Sequence, residues 1–489
     1  MLKRIANAIT ARLATTPSAA ASGRRVVARW DAAQTTPGNA KHWAMADHLS
    51  ADAATSPDVR ATLRARSRYE AANNSYARGI VDTLANYVVG TGPRLQVLDE
   101  DEVTARRVER AFAAWAESVD LAEKLRLMRV AQAESGEVFG VLNTNPRIDG
   151  VQLDLRLIEA DQVTSPAAAV RVDPRMVDGI VHDDQGNPRA YHVLKHHPGD
   201  ARGAAGLGEF EELPAEQVLH LYRPSRPGQS RGVPDLTPAL PLFALLRRYS
   251  LAVCGAAEQA ALVGGVIYTD MPAGGEADDV EPLEQVELER NEWWTMPAGY
   301  KAEQIRAEQP TTQYGAFHDK ILNEIARCLN MPFNIAAGNS SNYNYASGRL
   351  DHQAFFKAIK IDQQRLVRVV LNPLFRAWLS EASLVEDLLP QQLRTPEAAR
   401  TVAHQWFWPG FEHVDPVKEA QAQEKRLASN TTTLAEEYAR QGMDWEEQLM
   451  QRARERQLIR QLAMQDEAGA ARQPAAPEPD DDDEDIDDE

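Results

Sequence analysis

RSRYEAANNSYARGIVDTLANYVVGTGP, residues 66–93, carries two helices and both of their breaks. Val59 to Asn74 reads as one helix, rich in arginine through Arg60, Arg64, Arg66 and Arg68, and Ala77 to Val89 reads as a second. Gly90-Thr91-Gly92-Pro93 then stops the chain from coiling further, since Gly admits left-handed backbone and Pro has no N–H to donate. Toward the N-terminus, Asn39 to Asp58 is polar and broken. Toward the C-terminus come a strand at Leu95 to Leu98 and a helix at Glu102 to Glu117, with apolar spacing at Val103, Val108, Phe112 and Trp115. A further helix, Leu121 to Ala133, is ended by Ser135-Gly136.

From Val138 to Tyr222 the texture turns to short β-branched runs. Asp183 to Pro188 forms a turn between Ile180-Val181 and Tyr191-Val193, so the segment reads as antiparallel β. His182, His192, His196 and His197 match no zinc spacing and read as hairpin histidines. A long helix follows, Leu240 to Leu262, with a stripe through Leu242, Leu245, Leu246, Tyr249, Val253, Ala256, Ala257 and Ala260. Its second half is crowded with small residues, Ala252, Gly255, Ala256, Ala257 and Ala260, which permit close helix approach within the chain or between copies. Gly264 to Asp270 and Trp293 to Lys301 read as strands flanking an acidic helix, Val280 to Glu292. Phe317 to Leu329 is helical up to Pro332. A polar loop, Gly338 to Gly348, precedes a long helix from Leu350 to Leu379 that Asn372-Pro373 should kink. After Pro409-Gly410 the pattern is helical to Glu467, with an N-cap at Asp415-Pro416 and a capping box at Asp444 to Glu447. The expected class is α+β, mainly helical.

The 489 residues suggest about three folding regions. With 43% apolar and 26% charged residues the body has an ordinary globular composition. Arg247, Arg248 and Glu258 interrupt the most apolar stretch, so no membrane span is expected. Lys3, Arg4, Arg12, Arg24, Arg25 and Arg29 mark a basic N-terminal arm. Cys254 and Cys328 lie far from any metal-ligand partner, and a reducing cytoplasm is the default compartment. The net charge of −19 argues against a tight nucleic-acid binder, but more than half of the deficit lies between Glu478 and Glu489. Any DNA contact by the mildly acidic body should therefore be loose.

Gly228-Gln229-Ser230-Arg231-Gly232 fits the Gly-x-Ser-x-Gly nucleophile elbow, and a serine hydrolase using Ser230 is the alternative function. Pro224, Pro227 and Pro234 make the approach a meandering loop instead of a strand-to-helix elbow. The candidate partners Asp351, His352, His404 and His413 lie on helices or beside aromatics. The polar loop Gly338 to Gly348 lacks the Gly-Lys-Ser/Thr ending of a P-loop, with Arg349 a weak substitute. It offers amides, hydroxyls and two tyrosines, groups able to touch a DNA backbone transiently; an ordinary solvent loop has the same composition. Asp278-Asp279 and Glu446-Glu447 read as helix-start charges. No catalytic residue, cofactor or metal site is assigned. A third reading is an acidic scaffold or DNA mimic working through the tail.

Arg66 to Asn74, continuing through Tyr76-Ala77-Arg78-Gly79-Ile80 to Val89-Gly90-Thr91-Gly92-Pro93, resembles the lambda-type phage portal family. The likeness continues at Tyr222-Arg223-Pro224, Arg226 to Gly232, Asn339 to Arg349, Gly410-Phe411-Glu412 and Asp415 to Glu419. These motifs fall in order over nearly the whole chain, and the third of them absorbs the elbow-like pattern.

The resemblance implies a structural, non-enzymatic ring subunit, typically of twelve copies, at one capsid vertex. Its parts would be a basic arm (1–39), wing (40–234), stem helix (235–263), clip (264–310), returning stem helix (311–332), tunnel loop (333–349), long wing helix (350–393), crown-side helices (394–468) and a Pro/Ala linker with acidic tail (469–489). Asn339, Ser340, Ser341, Asn342, Tyr343, Asn344, Tyr345 and Arg349 would face double-stranded DNA passing non-specifically. Ala252, Gly255, Ala256, Ala257 and Ala260 would pack neighbouring stems. Glu276, Asp278, Asp279, Glu284 and Glu287 of the clip would dock the terminase large subunit and later head-completion or adaptor proteins. Major capsid and scaffold proteins are further expected partners, no membrane is, and the location is the virion after assembly in the host cytoplasm.

Overall fold

Asn74 makes the first break: its side chain accepts from the Tyr76 and Ala77 amides at 3.1 and 3.4 Å, ending one helix and capping the next. In the computed structural model, residues 36–98, 101–166, 175–200, 208–261, 265–269, 300–304, 314–341, 343–395, 402–410 and 416–470 are described. The chain divides into two units, one up to Ser50 and one from Ala51 onward. The first is turn structure where described, with the Asn39 side chain accepting from Thr36 N at 2.7 Å.

The second unit begins with helices α1 (Ala51–Ala54), α2 (Pro57–Asn73) and α3 (Ser75–Val88), strand β1 (Arg94–Val97), and helices α4 (Glu102–Ser118) and α5 (Leu121–Ser135). Strands β2 (Glu137–Thr144), β3 (Leu153–Ile158), β4 (Met176–Val177), β5 (Ile180–His182), β6 (Pro188–Leu194), β7 (Phe210–Pro214) and β8 (Val218–Tyr222) follow. They form two antiparallel sheets, ordered β3-β2-β8 and β4-β5-β6-β7. Phe139, Val141, Ile158, Ile180, Tyr191, Val193, Leu213 and Val218 form one core cluster drawn from both sheets. Next come α6 (Leu240–Ala261), the antiparallel pair β9 (Gly265–Thr269) and β10 (Tyr300–Gln304), α7 (Tyr314–Arg327), α8 (Phe333–Ala337) and α9 (Tyr345–Leu366). A π turn (Val367–Leu371) leads into α10 (Asn372–Ala382), then come β11 (His404–Phe407), α11 (Pro416–Ala428), α12 (Leu434–Arg440) and α13 (Trp445–Ala470). The fold is α+β and mainly helical, as expected.

The larger core gathers α3 to α7, α9 and α10 around Phe112, Trp115, Phe375 and Trp378, with Phe112 edge-on to Phe375 and Trp378 at 5.4 and 5.2 Å. Two expectations need adjustment, and two gain detail. The long C-terminal helix begins at Tyr345, not Leu350, because the Asn344 side chain accepts from Ser347 N at 2.9 Å and starts it early. At Asn372-Pro373 the chain stays helical. Pro373 removes one N–H, and the Asn372 N–H instead reaches the Val367 carbonyl five residues back, so a wide turn absorbs the defect. His404–Phe407 is a strand paired with Arg94–Val97, a partnership across some three hundred residues. The described strand Tyr300–Gln304 overlaps the end of the expected Trp293 to Lys301 and runs on to Gln304, while residues 293–299 and the expected helix Val280 to Glu292 lie outside the described residues.

The helix over Thr237–Glu258 is long and apolar enough to cross a membrane by length and composition alone, a test that the core helix of a soluble protein also passes. Its first turns are nevertheless part of the protein interior. Leu240, Phe243 and Leu246 are buried, and Arg247 donates to Glu70 at 2.9 Å.

Candidate functional site

The loop between α8 and α9 is built from short-range bonds. Gly338 takes the left-handed conformation, φ 62°, that ends α8, and Asn339 N then bonds the Asn334 carbonyl at 3.0 Å. The Asn339 side chain accepts from Ser341 N at 3.0 Å and Ser341 Oγ at 2.7 Å. Asn344 closes the loop by capping α9. Asn339, Ser340, Ser341, Asn344 and Arg349 are exposed and Tyr343 is half-buried. Asn342 lies outside the described residues, Tyr345 is the first residue of α9, and Arg349 sits one turn into that helix. The loop thus presents amides and hydroxyls to solvent, with no carboxylate between Ile325 and Leu350.

Helix α6 leaves the core after Leu246. Ala252 is exposed, Gly255, Ala256 and Ala257 are half-buried, and Leu245 and Leu251 are 47% and 66% exposed. The stripe expected through Leu242, Leu245 and Leu246 is therefore split, with Leu246 inward and Leu245 outward. Tyr249 stacks on Tyr314 at 5.6 Å and meets Phe317 edge-on at 4.6 Å, holding α7 against α6. Ala260 belongs to α6, and Glu276, Asp278, Asp279, Glu284 and Glu287 lie outside the described residues.

The elbow-like pentapeptide is organised around charge and close backbone packing. Gly228 adopts φ 77°, and a Cβ on Gly232 would come within 2.2 Å of the Gly136 carbonyl oxygen. Gly136, at φ 88°, would in turn strike Val233, so the two glycines let the loop lie directly on the α5–β2 junction. Ser230 Oγ donates to Asp52 Oδ2 at 2.8 Å and Ser230 N to Oδ1 at 2.7 Å. His404 is held by the Val402 carbonyl and Asn372, and His352 by Asn334, at 3.0 to 3.1 Å. His413 lies outside the described residues. The serine hydroxyl thus bonds a carboxylate, while His352 and His404, the described candidate partners, are engaged elsewhere.

Arg231 and Glu137, both wholly buried, form a two-pronged ion pair with Nη2 to Oε1 at 2.7 Å and Nε to Oε2 at 3.0 Å. Arg231 Nη1 also reaches the Val163 carbonyl at 3.0 Å and Asp178 Oδ2 at 2.9 Å, and Nη2 the Ala160 carbonyl at 3.2 Å. Arg60 of α2 pairs with the same Asp178, and Arg64 with Asp161 at 3.0 Å. His220 Nε2 donates to Glu137 at 2.9 Å, its ring stacked at 4.3 Å on both Phe139 and Tyr222. Burial alone would raise the Glu137 carboxyl, but the Arg231 charge and the His220 hydrogen bond outweigh it and hold it far below the usual range. Burial pushes the His220 imidazole below its ordinary 6.5, with Glu137 opposing. Sequence reasoning missed this cluster; the available signal was a lone Glu and a lone His in otherwise apolar strands. Asp362 joins Arg129 at 3.2 Å and Arg223 at 2.7 Å in a second buried group.

The hairpin histidines are half-buried or exposed. Only His197 meets a potential ligand set among the described residues, with Glu159 and Asp161. Arg68 already lies on both carboxylates, at 2.9 and 2.8 Å, and supplies the positive charge a cation would bring.

The family model described as phage portal protein, lambda family, matches residues 37–363. The chain belongs to that family. Its members are portal proteins, structural components of the virion. The "Probable portal protein" of Halomonas phage phiHAP-1 is 25% identical to this portal chain over 411 residues, covering 78% of it and 77% of the phage protein. Among solved structures, a chain in the neck of an empty gene transfer agent particle is similar at 14% identity and a TM-score of 0.49, covering 77% of this chain and 92% of that one. A chain in the virion of the native particle is similar at 13% identity and 0.47, covering 78% and 93%. In this portal chain the family-like segments Arg66 to Asn74 and Arg226 to Gly232 meet at the buried ion cluster. Arg68 of the first bonds Ser135 beside the two packed glycines, and Arg231 of the second holds Glu137.

Proposed function

We propose that this chain assembles as a closed ring of twelve copies at one capsid vertex and does its work by geometry. Double-stranded DNA passes through the ring during packaging and ejection. The terminase large subunit, and later head-completion proteins, dock on its clip at Glu276, Asp278, Asp279, Glu284 and Glu287, while capsid and scaffold proteins hold its outer parts. Membership of the portal family over residues 37–363 carries this reading.

Two physical features support it. Helix α6 is apolar and largely uncovered in the single chain, and its small residues allow close approach of a second helix; a head-to-tail contact between identical subunits closes into a ring when the rotation fits. In the assembled ring Ala252, Gly255, Ala256, Ala257 and Ala260 pack against the neighbouring subunit. The loop from Asn339 to Tyr345, with Arg349 behind it, faces the channel, and its neutral polar groups touch phosphates without trapping them. The ring forms in the host cytoplasm and remains in the virion.

Negative-stain images of the purified full-length chain test this directly. Rings with a central hole are expected, and rings should persist when Asp480 to Glu489 are deleted. A protein whose assembly depends on that tail contradicts the reading.

A further inference from the structure

Arg349, Gln353, Lys357, Lys360, Gln364 and Arg368 succeed one another at helical spacings of four, four, three, four and four along α9 and the π turn. At about 100° per residue they share an arc of roughly 100°, and at ~1.5 Å per residue they extend over about 28 Å. All six are exposed. The stripe carries four cations and two amides and no acid. Asp351 projects about 200° around the helix from Arg349, and Asp362 is buried against Arg129 and Arg223. Among the described residues none of the four cations forms an ion pair.

The chain as a whole has a net charge of −19. Exposed helix faces commonly mix signs, and like charges at i,i+3, as at Lys357 and Lys360, weaken a helix slightly unless a counter-charge is supplied. The counter-charge that fits is extended, because four cations in a row exceed what one carboxylate can match. Duplex DNA carries one negative charge per ~1.7 Å of axis and offers such a row along its whole length. Glutamine amides between the cations donate to phosphate oxygens without adding charge, and the stripe lacks the aromatic anchors of a protein–protein hot spot. Leu350 and Ile361, 68% and 62% exposed, lie at its edge, where a neighbouring copy would cover them.

We infer that this stripe is a sequence-independent track for the phosphate backbone of double-stranded DNA, carrying the contact beyond the Gly338 loop along α9. The inference rests on the ring reading above. Rings of the full-length chain and of an Arg349→Gln, Lys357→Gln, Lys360→Gln, Arg368→Gln variant are titrated with a mixed-sequence duplex from low to moderate salt. The slope of log K against log salt should fall in magnitude by about 3 to 4 in the variant, close to one per cation removed. A control, Arg452→Gln, Arg454→Gln, Arg456→Gln, Arg460→Gln on the exposed α13, should leave the slope within about one of the parent. Well-formed rings that bind no duplex at low salt, an unchanged slope in the stripe variant, or equal losses in stripe and control all overturn the stripe. Absence of rings in the unmodified chain overturns the ring reading instead.

Discussion

Replacing Arg231 by Met keeps an unbranched apolar stem and removes the charge from a site where both Arg231 and Glu137 are wholly buried. Glu137 would retain the His220 Nε2 and Gly232 N donors, each at 2.9 Å, and the Arg64 guanidinium at 4.0 Å. Breaking one side of a buried pair costs roughly 3–5 kcal/mol, and the orphaned carbonyls of Val163 and Ala160 add about 1 kcal/mol or more. A loss near 5 kcal/mol is comparable with the whole stability of a typical domain, about 5–15 kcal/mol. At roughly 2–4 °C per kcal/mol for a folding unit of this size, the first thermal transition should fall by about 10–20 °C. The pH dependence is a second signature. Removing Arg231 takes away the largest influence opposing burial, so the Glu137 folded-state pKa rises, and once it passes the unfolded value the variant gains stability as Glu137 takes up a proton on acidification. Scanning calorimetry of both proteins from pH 5 to pH 8 should therefore show the largest gap at the alkaline end. A shift under about 3 °C, or a gap independent of pH, refutes the assignment of this pair as the centre of the β region.

His220 has a folded-state pKa below its ordinary 6.5, so the unfolded chain binds the extra proton first and stability falls as pH drops below about 6.5, by up to ~1.4 kcal/mol per pH unit; urea titrations of a His220→Gln variant should lack that slope. Gly232→Ala forces a Cβ onto the Gly136 carbonyl and should abolish soluble protein or lower its thermal midpoint by more than 5 °C. Ser230→Ala loses one hydrogen bond to Asp52, costing about 1 kcal/mol, and ring images of that variant should match the parent's, with no fluorophosphonate labelling of either. Cys254 is exposed on α6 and should react quickly with a thiol reagent in the monomer and slowly in rings. Cys328, whose thiol burial pushes up to about 11, should be slow in both.

The helices and the antiparallel character of residues 138–222 were legible because their signals are local: apolar spacing, the Asp444 cap, and Gly/Pro stops. The pairing of His404–Phe407 with Arg94–Val97 was not, since register between distant segments has no local mark. Pro373 marked the place of a helix irregularity but not its form, a π turn over Val367–Leu371, because proline's missing N–H dictates a defect and leaves open how neighbours absorb it. At the candidate site, the loop's polarity was readable but its boundary was not, as Asn344 rather than Gly348 starts the helix. The arginine-rich character of α2 was visible, whereas the role of Arg60 and Arg64 as partners of carboxylates more than 90 residues away emerges only when the sheets and α2 meet. The Gly-x-Ser-x-Gly pattern matched a catalytic motif because close backbone packing and a left-handed turn also select glycine.

The central claim is assembly into a channel, and mass measurement combined with negative-stain imaging of the purified full-length chain tests it most directly. Closed rings of about a dozen subunits with a central hole are predicted. A monodisperse monomer at every salt concentration would contradict the account.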